Sequence, residues 1–494
     1  MRDAPPRASA MVEALRGLGY SPATALADII DNSIAARATA VDLQFVWAGG
    51  DSHILVLDNG DGMDDAGLDL AMRLGDRSPL DARDVGDLGR FGLGLKTASF
   101  SQCRRLTVAS RRAGITRALR WDLDVLLADR TGRWSLLENA HPGSETRLAP
   151  LDAQESGTAV LWELMDRVTP PGRDETDFLD QIDRIERHLA MVFHRYITGR
   201  RLVIRINGRA VEAWDPFLEH RTDTWRSRPD RFVVNGYPVA IQGYVLPHRD
   251  RLDARTLESA AGPDGWTAQQ GFYVYRNERL LVAGSWLGLG RGRSWTKDEP
   301  FRLARIRIDL PNIADADWQI DIRKSTARPP MEARQRLTVL AEDVRSRARR
   351  VFAFRGSPQS SGRREPLVQA WKQSRTREGI RYRIDTGHPA VAAVLDGAGE
   401  LDAPLRAMLR VIEDTVPVQQ IWLDTAEARD TPPISSPAEP PPEVVALMGR
   451  ILASMVRRKG LTVEAARAEM ARTDPFNNWP DYLATLDVKM EDEA

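Results

Sequence analysis

Between Ala8 and Leu18 apolar residues recur at helical spacing and stop at Gly19, a residue suited to ending a helix. Ser21-Pro22 reads as an N-cap followed by proline at the first helical position, and the helix it opens reaches to about Arg37. The period then shortens to two. Val41, Leu43, Phe45 and Trp47 alternate with other residues, Gly49-Gly50-Asp51 turns the chain, and Ile54 to Leu57 predicts a second strand. Asp58 follows directly and opens a glycine turn. Leu74 to Gly89 is polar and rich in Gly, Asp and Arg, which predicts a mobile loop, and a helix begins within Phe91 to Ala98. Leu106 to Ala109, Thr116 to Leu127 and Thr158 to Trp162 read as strands. Phe178 to Ile197 reads as a helix that closes a first domain, residues 1–198.

From Arg201 short strands dominate: Leu202 to Ile206, Phe232 to Val234, Val239 to Leu246, Phe272 to Tyr275 and Ala304 to Ile308. A long helix, Met331 to Val351, ends this second domain, residues 199–351. A basic linker (352–379), a small unit (380–430), and a proline-rich spacer with two terminal helices (431–494) follow. The fold class expected is α/β: mixed helices and strands in the first domain, then an α+β domain, then a small helical C-terminal region.

At 494 residues the chain exceeds one core, which agrees with several domains. Lys+Arg (69) and Asp+Glu (70) nearly cancel, so any nucleic-acid contact has to be a local patch. One such patch stands out. Arg345 to Arg377 holds ten basic residues against a single acid, Glu365. The one cysteine, Cys103, excludes an intramolecular disulfide framework. No apolar run is long enough to span a bilayer, and no signal peptide is seen, so a cytoplasmic protein without membrane contact is expected.

Three short runs carry the chemistry. They are Asp28 to Ser33, Asp58 to Met63, and Gly89-Arg90-Phe91-Gly92-Leu93-Gly94-Leu95-Lys96. Asp28 and Asn32 are spaced i, i+4 on one helix, so both lie on one face. Mg²⁺ prefers oxygen ligands with few protein contacts, and the Asn32 side chain can supply one. Asp28 is placed to orient and deprotonate an attacking water. Asp58, beside Gly60 and Gly62, offers an acceptor for an adenine amine with close backbone approach. The Gly89 to Lys96 run can surround phosphates with backbone N–H groups and a helix N-terminus. Two other nucleotide motifs fail. A Walker loop needs Gly directly before Lys, but Leu95 separates Gly94 from Lys96, and the dinucleotide fingerprint lacks its third glycine.

In this order and spacing the three runs resemble the nucleotide motifs of the GHKL ATPase superfamily, which includes DNA gyrase B, the heat-shock chaperone ATPases, sensor histidine kinases, MutL and MORC. The resemblance covers residues 8 to 165, with Gly157-Thr158 similar to a late Gly-Thr element near the adenine. It implies an N-terminal α/β sandwich, ATP and Mg²⁺ as ligands and an ATP lid at Leu74 to Leu88. An N-terminal ATPase domain followed by a strand-rich one resembles the gyrase/MutL/MORC branch, whose transducer domain brings a lysine to the γ-phosphate. Lys324 is that candidate here, and Arg276-Asn277-Glu278-Arg279 resembles the short Asn-containing turn of those domains. The sequence departs from the family at Asp28, where most members carry the longer Glu, and at Ala35.

The resemblance implies an ATP-dependent homodimeric clamp acting on DNA in repair, restriction or anti-phage defence. DNA contact through Arg345 to Arg377 and an effector nuclease or other defence or repair protein as partner are the corresponding expectations. A non-hydrolysing nucleotide switch and a chaperone-type ATPase are the alternatives.

Overall fold

The computed structural model describes residues 7–74, 94–129, 131–170, 172–321, 324, 326–354, 368–376, 379–418 and 439–487. The chain divides into two compact units, residues 1–360 and 361–494.

The first layer of unit 1 runs α1 (Ala8–Arg16), α2 (Pro22–Ala35), β1 (Ala40–Val46), β2 (His53–Asp58), α3 (Asp65–Met72), α4 (Gly94–Phe100), β3 (Arg105–Arg112), β4 (Ile115–Asp122) and α5 (Leu123–Ala128). It continues through β5 (Leu137–Glu138), α6 (Glu145–Leu148), β6 (Gly157–Glu163), α7 (Glu175–Val192), α8 (His194–Thr198), β7 (Val203–Ile206) and β8 (Arg209–Ala210). The strands form one eight-stranded sheet in the order β5-β4-β3-β6-β2-β1-β7-β8. Alternation along the strands decides its two faces. Ile54, Val56, Leu106, Val108, Val160 and Trp162 point into a core shared with α1, α2, α4, α5 and α7. Leu55, Leu57, Ala109, Ala159 and Leu161 point the other way, onto Leu148 and Leu151.

Helix α2, the element that carries the first motif, begins where Ser21-Pro22 predicts. Ser21 and Thr24 cap each other reciprocally, the Ser21 side chain accepting from the Thr24 amide at 3.2 Å and Thr24 from the Ser21 amide at 3.0 Å.

Three expectations change here. The predicted strand Thr116 to Leu127 stops at Asp122, whose carboxylate accepts from the Asp124 and Val125 amides and so starts α5. The helix expected over Phe178 to Ile197 breaks at Phe193 into α7 and α8. The strand at Leu202 to Ile206, assigned by texture to the second domain, is instead β7, paired parallel with β1 from Ala40↔Val203 to Leu43↔Ile206. The first sheet therefore extends to Ala210 rather than closing before residue 199.

A second sheet follows, built from β9 (Trp225–Arg226), β10 (Asp230–Val234), β11 (Tyr237–Val245), β12 (Gly271–Arg276), β13 (Arg279–Ser285) and β14 (Ala304–Leu310), with α9 (Ala254–Ala261) between β11 and β12. Its order is β10-β11-β14-β12-β13, with β9 on β11. Helix α10 (Met331–Phe354) lays Ala333, Leu337, Ala341, Val344, Ala348 and Val351 on one face of this sheet. The opposite face is aromatic, with Phe217, Tyr244, Tyr273 and Tyr275 packed with Met191 of α7. The two layers are joined there: His194 Nε2 lies 2.8 Å from the Tyr275 hydroxyl, the Arg195 guanidinium stacks on the Tyr275 ring and pairs with Asp309, and the Tyr196 hydroxyl donates to the Asn277 carbonyl at 2.7 Å.

Unit 2 contains a hairpin, β15 (Trp371–Thr376) and β16 (Gly379–Ile384), whose first strand lies within what the sequence reads as linker. Helices α11 (Pro389–Asp396) and α12 (Asp402–Thr415) follow. The helices Pro442–Lys459 and Val463–Met470 share one core with the chain near Ala390 and Ala393, so the stretches read as separate pieces on either side of the spacer form one body. Spacer residues 431–438 lie outside the described residues. Among the described residues no helix is long and apolar enough to cross a membrane.

Candidate functional site

The end of β2 fixes Asp58 in a closed set of donors. Its Oδ1 accepts the amides of Gly60 at 2.9 Å and Thr158 at 3.1 Å, and its Oδ2 accepts the Ser33 hydroxyl at 2.7 Å. A carboxylate has about four acceptor positions, so one remains for an incoming donor. Burial pushes the Asp58 carboxyl above its ordinary value, against the pull of Gly60, Ser33 and Thr158. The glycines are required by space. A Cβ on Gly60 would meet the Ala36 carbonyl oxygen at 2.8 Å, and one on Gly62, which sits at φ +65°, would lie 2.0 Å from the Arg111 carbonyl oxygen. The Met63 amide donates to Ser110 Oγ at 2.8 Å, and Ser110 in turn lies 3.1 Å from Thr158 Oγ1. Asn59 serves the fold rather than a ligand, since its Oδ1 accepts the amides of Thr39 and Ala40.

One to two turns earlier on the helix side stands a second group of charges. Asp28 is buried, with Oδ2 accepting the Tyr20 hydroxyl at 3.0 Å and Oδ1 accepting Lys324 Nζ at 2.9 Å. Lys324 also reaches Asp31 Oδ2 at 2.5 Å. Arg279, at the start of β13, places Nε 3.1–3.2 Å from both oxygens of Asp31 and its terminal nitrogen 3.7 Å from Asp28. Burial raises the Asp31 carboxyl, but Arg279 and Lys324 outweigh it and hold it below its usual value. Burial and the Asp28 charge push the Tyr20 phenol up. The structure thus brings the two predicted catalytic side chains, Asp28 and Lys324, into contact across nearly three hundred residues of chain.

Asn32 is exposed while Asp28, Asp31 and Ser33 are buried, so its amide is the group on this turn that faces outward. A Cβ on Gly94 would stand 3.8 Å from Asp28 Oδ2, which puts the first turn of α4 against the same carboxylate. Leu95 packs partly into the main core. Lys96 is buried, and its ammonium donates to the carbonyls of Ala71 and Arg73 at 2.9 and 2.6 Å, at the C-terminal end of α3. Those bonds tie α4 to the last residues before the predicted lid. Lid residues 75–88 and the motif residues Gly89, Arg90, Phe91, Gly92 and Leu93 lie outside the described residues.

Sequence reasoning assigned no part to Tyr20 or Asp31. Asp31 had a usable signal, because it lies i+3 from Asp28 on the same helix. Arg279 was noted only as part of a turn. The basic patch changes most. Arg345 is buried, its guanidinium stacked on Phe301 at 3.7 Å and on Trp286 and Trp295 at 4.5 and 4.8 Å, which removes it from any solvent-facing surface. Arg347 stacks on Trp225 and pairs with Asp343, and Lys372 pairs with Asp385. Arg349 and Arg350 are exposed. Arg355, Arg363, Arg364 and Arg377 lie outside the described residues.

Residues 20–158 match the family described as histidine kinase-, DNA gyrase B-, and HSP90-like ATPase. The chain is 37% identical over 198 residues to the DNA mismatch repair protein MutL of Rhodospirillum rubrum, covering 40% of this chain and 30% of that protein. It is 33% identical over 111 residues to the protein of the same name from Rhodopseudomonas palustris, 22% of this chain and 18% of that one. Against that of Neisseria meningitidis it is 39% identical over 95 residues, 18% and 14% of the two chains. The match spans less than a third of each of these relatives. Residues 20–158 thus form a domain of the histidine kinase, gyrase B and HSP90-like (GHKL) family, and part of the chain is similar to MutL.

Proposed function

We propose that the protein binds ATP with Mg²⁺ and hydrolyses it slowly, and that ATP gates closure of a homodimeric clamp in a DNA transaction of the repair type, with restriction or anti-phage defence as its setting. The observation that carries this reading is the contact of Lys324 with Asp28, which links the predicted phosphate sensor directly to the predicted base.

Asp58, with one acceptor position open on Oδ2 beside the Ser33 hydroxyl, takes the adenine amine. Asn32 fits Mg²⁺: it is an exposed hard oxygen donor beside buried acids, and the ion needs few protein ligands because phosphates supply the rest. When bound, Mg²⁺ neutralises phosphate charge. The chain's own residues do the remaining work. Gly94 and the N-terminus of α4 approach the phosphates, Lys324 moves from Asp28 toward the γ-phosphate, and the freed Asp28 carboxylate takes a proton from the attacking water. Tyr20 keeps that carboxylate oriented through its other oxygen.

DNA contact is supported by the names of the relatives, DNA mismatch repair proteins, and by exposed Arg349 and Arg350 at the end of α10. A nuclease effector as partner belongs to the same reading. A second reading, a nucleotide-dependent switch that does not hydrolyse, is favoured by one observation: both oxygens of the short Asp28 side chain are already engaged.

The test is ATP turnover by wild type, Asp28→Ala and Asn32→Ala, with and without DNA, together with size exclusion in a non-hydrolysable analogue. Turnover lost in both variants, stimulation by DNA and an analogue-dependent dimer are expected. Equal turnover in Asp28→Ala rejects the base assignment, and a monomer throughout rejects the clamp.

A further inference from the structure

We propose that Asp31 is a positioning residue: it draws Arg279 away from Asp28 and thereby sets the rate of hydrolysis without setting the strength of nucleotide binding. The proposal rests on the reading of Asp28 as the base.

Asp28 and Asp31 share a helix face and a pair of cations. Asp31 holds the closer position to both. Lys324 Nζ is 2.5 Å from Asp31 and 2.9 Å from Asp28, while Arg279 is within hydrogen-bond distance of Asp31 and 3.7 Å from Asp28. All four side chains are nearly or fully buried, so neither carboxylate can turn to bulk water for compensation.

Charge counting gives the consequence. Two carboxylates and two cations are balanced without nucleotide. Once the γ-phosphate draws Lys324 away, two carboxylates share one guanidinium. With Asp31 present, Arg279 Nε stays shared between its two oxygens, and Asp28 is left as the unpaired anion, the state a base requires. With Asp31 neutralised, the nearest carboxylate to Arg279 is Asp28. A guanidinium in a buried space settles on it and occupies the oxygen that has to accept the proton.

Arg279 cannot leave the area. The turn before it is pinned from the first layer: Tyr196 donates to the Asn277 carbonyl at 2.7 Å, and Arg201 pairs with Glu278. One terminal nitrogen of Arg279 donates to the Leu280 carbonyl at 2.8 Å, which fixes the side chain's reach to the space between the two acids.

The test uses the full chain as Asp31→Asn, Arg279→Gln and the double variant, with Asp28→Ala as reference. Steady-state ATP hydrolysis, equilibrium binding of a non-hydrolysable ATP analogue and thermal melting are measured on each. Expected is a fall in kcat of about tenfold or more for Asp31→Asn, with analogue affinity within about threefold of wild type. Adding Arg279→Gln to Asp31→Asn should bring kcat back to within about threefold of wild type, the sign of coupling that a double-mutant cycle isolates. If Asp31→Asn gives no cooperative melt, the double variant carries the test alone, since it removes one charge of each sign. A double variant that melts and binds the analogue but does not turn over overturns the proposal. So does unchanged kcat in Asp31→Asn when Asp28→Ala is inactive. Wild type that binds the analogue without any turnover rejects instead the base reading beneath it.

Discussion

The two ends of the site are built in different ways. Around Asp58 every contact comes from the first layer: Ser33 on α2, Gly60 after β2 and Thr158 on β6. Around Asp28 the contacts come from both layers, with Tyr20 and Asp31 from the first and Arg279 and Lys324 from beyond residue 270. The difference separates two tasks. On the proposed reading, the adenine end is finished once the first sheet has folded. The proposed phosphate end is complete only when the second sheet is seated on α7 and α8, so the proposed turnover would depend on the register between layers and base recognition would not.

The comparison is broken most directly at the adenine end. Asp58→Ala leaves the Gly60 amide, Thr158 amide and Ser33 hydroxyl without their buried acceptor, which costs about 3 kcal/mol of stability, and removes the acceptor for the nucleotide. Analogue affinity should fall by about 100-fold or more in titration calorimetry, with turnover falling in step. Comparable affinity in wild type and variant would disprove the adenine assignment. Next comes Lys324→Ala, which should lose about 100-fold in kcat yet hold the analogue within about tenfold, because its contacts act on the reacting end. A matched loss of affinity and kcat would mean that the two ends are not separable.

Gly62→Ala should destabilise by about 2 kcal/mol or more through its positive φ and the Arg111 carbonyl in its way, read as a lower melting temperature. Ser33→Ala is milder, about 1 kcal/mol, and should weaken the analogue several-fold while leaving kcat at saturation unchanged. The smallest effect is with pH. Because burial raises the Asp58 carboxyl, it takes up a proton before an exposed aspartate does as pH falls. Analogue affinity should therefore decline on acidification starting above the ordinary carboxylate range. Stability moves oppositely through that window, rising slightly as pH falls, since the folded form binds the proton first. Asp58→Asn should abolish the step in affinity.

How much of this was legible beforehand depended on distance along the chain. Helix α2 announced itself through Ser21-Pro22, and the Asp58 glycine turn through its place after an apolar strand, because those signals sit within a few residues. The partner of β7 did not. Five apolar-alternating residues carry no mark of which sheet they join, and the pairing with β1 spans about 160 positions. Arg345 was misread for a related reason. In a basic run it looks solvated, but it sits beside the buried face set by Ala341, Val344 and Ala348, and the rings that receive it belong to residues 286–301. The Asp31–Arg279 pair lay half in view: one member was a helix neighbour of a named residue, the other 248 positions away.

The parallel strand β7 also protects the molecule from itself. A fragment ending at Thr198 would leave β1 as an outer strand, with Val41, Leu43 and Phe45 along it and a row of open amides and carbonyls facing solvent. Such a margin invites edge-to-edge stacking of copies. In the intact chain the margin is β8 instead, two residues long and carrying the exposed Arg209, a termination too short and too charged to recruit another strand.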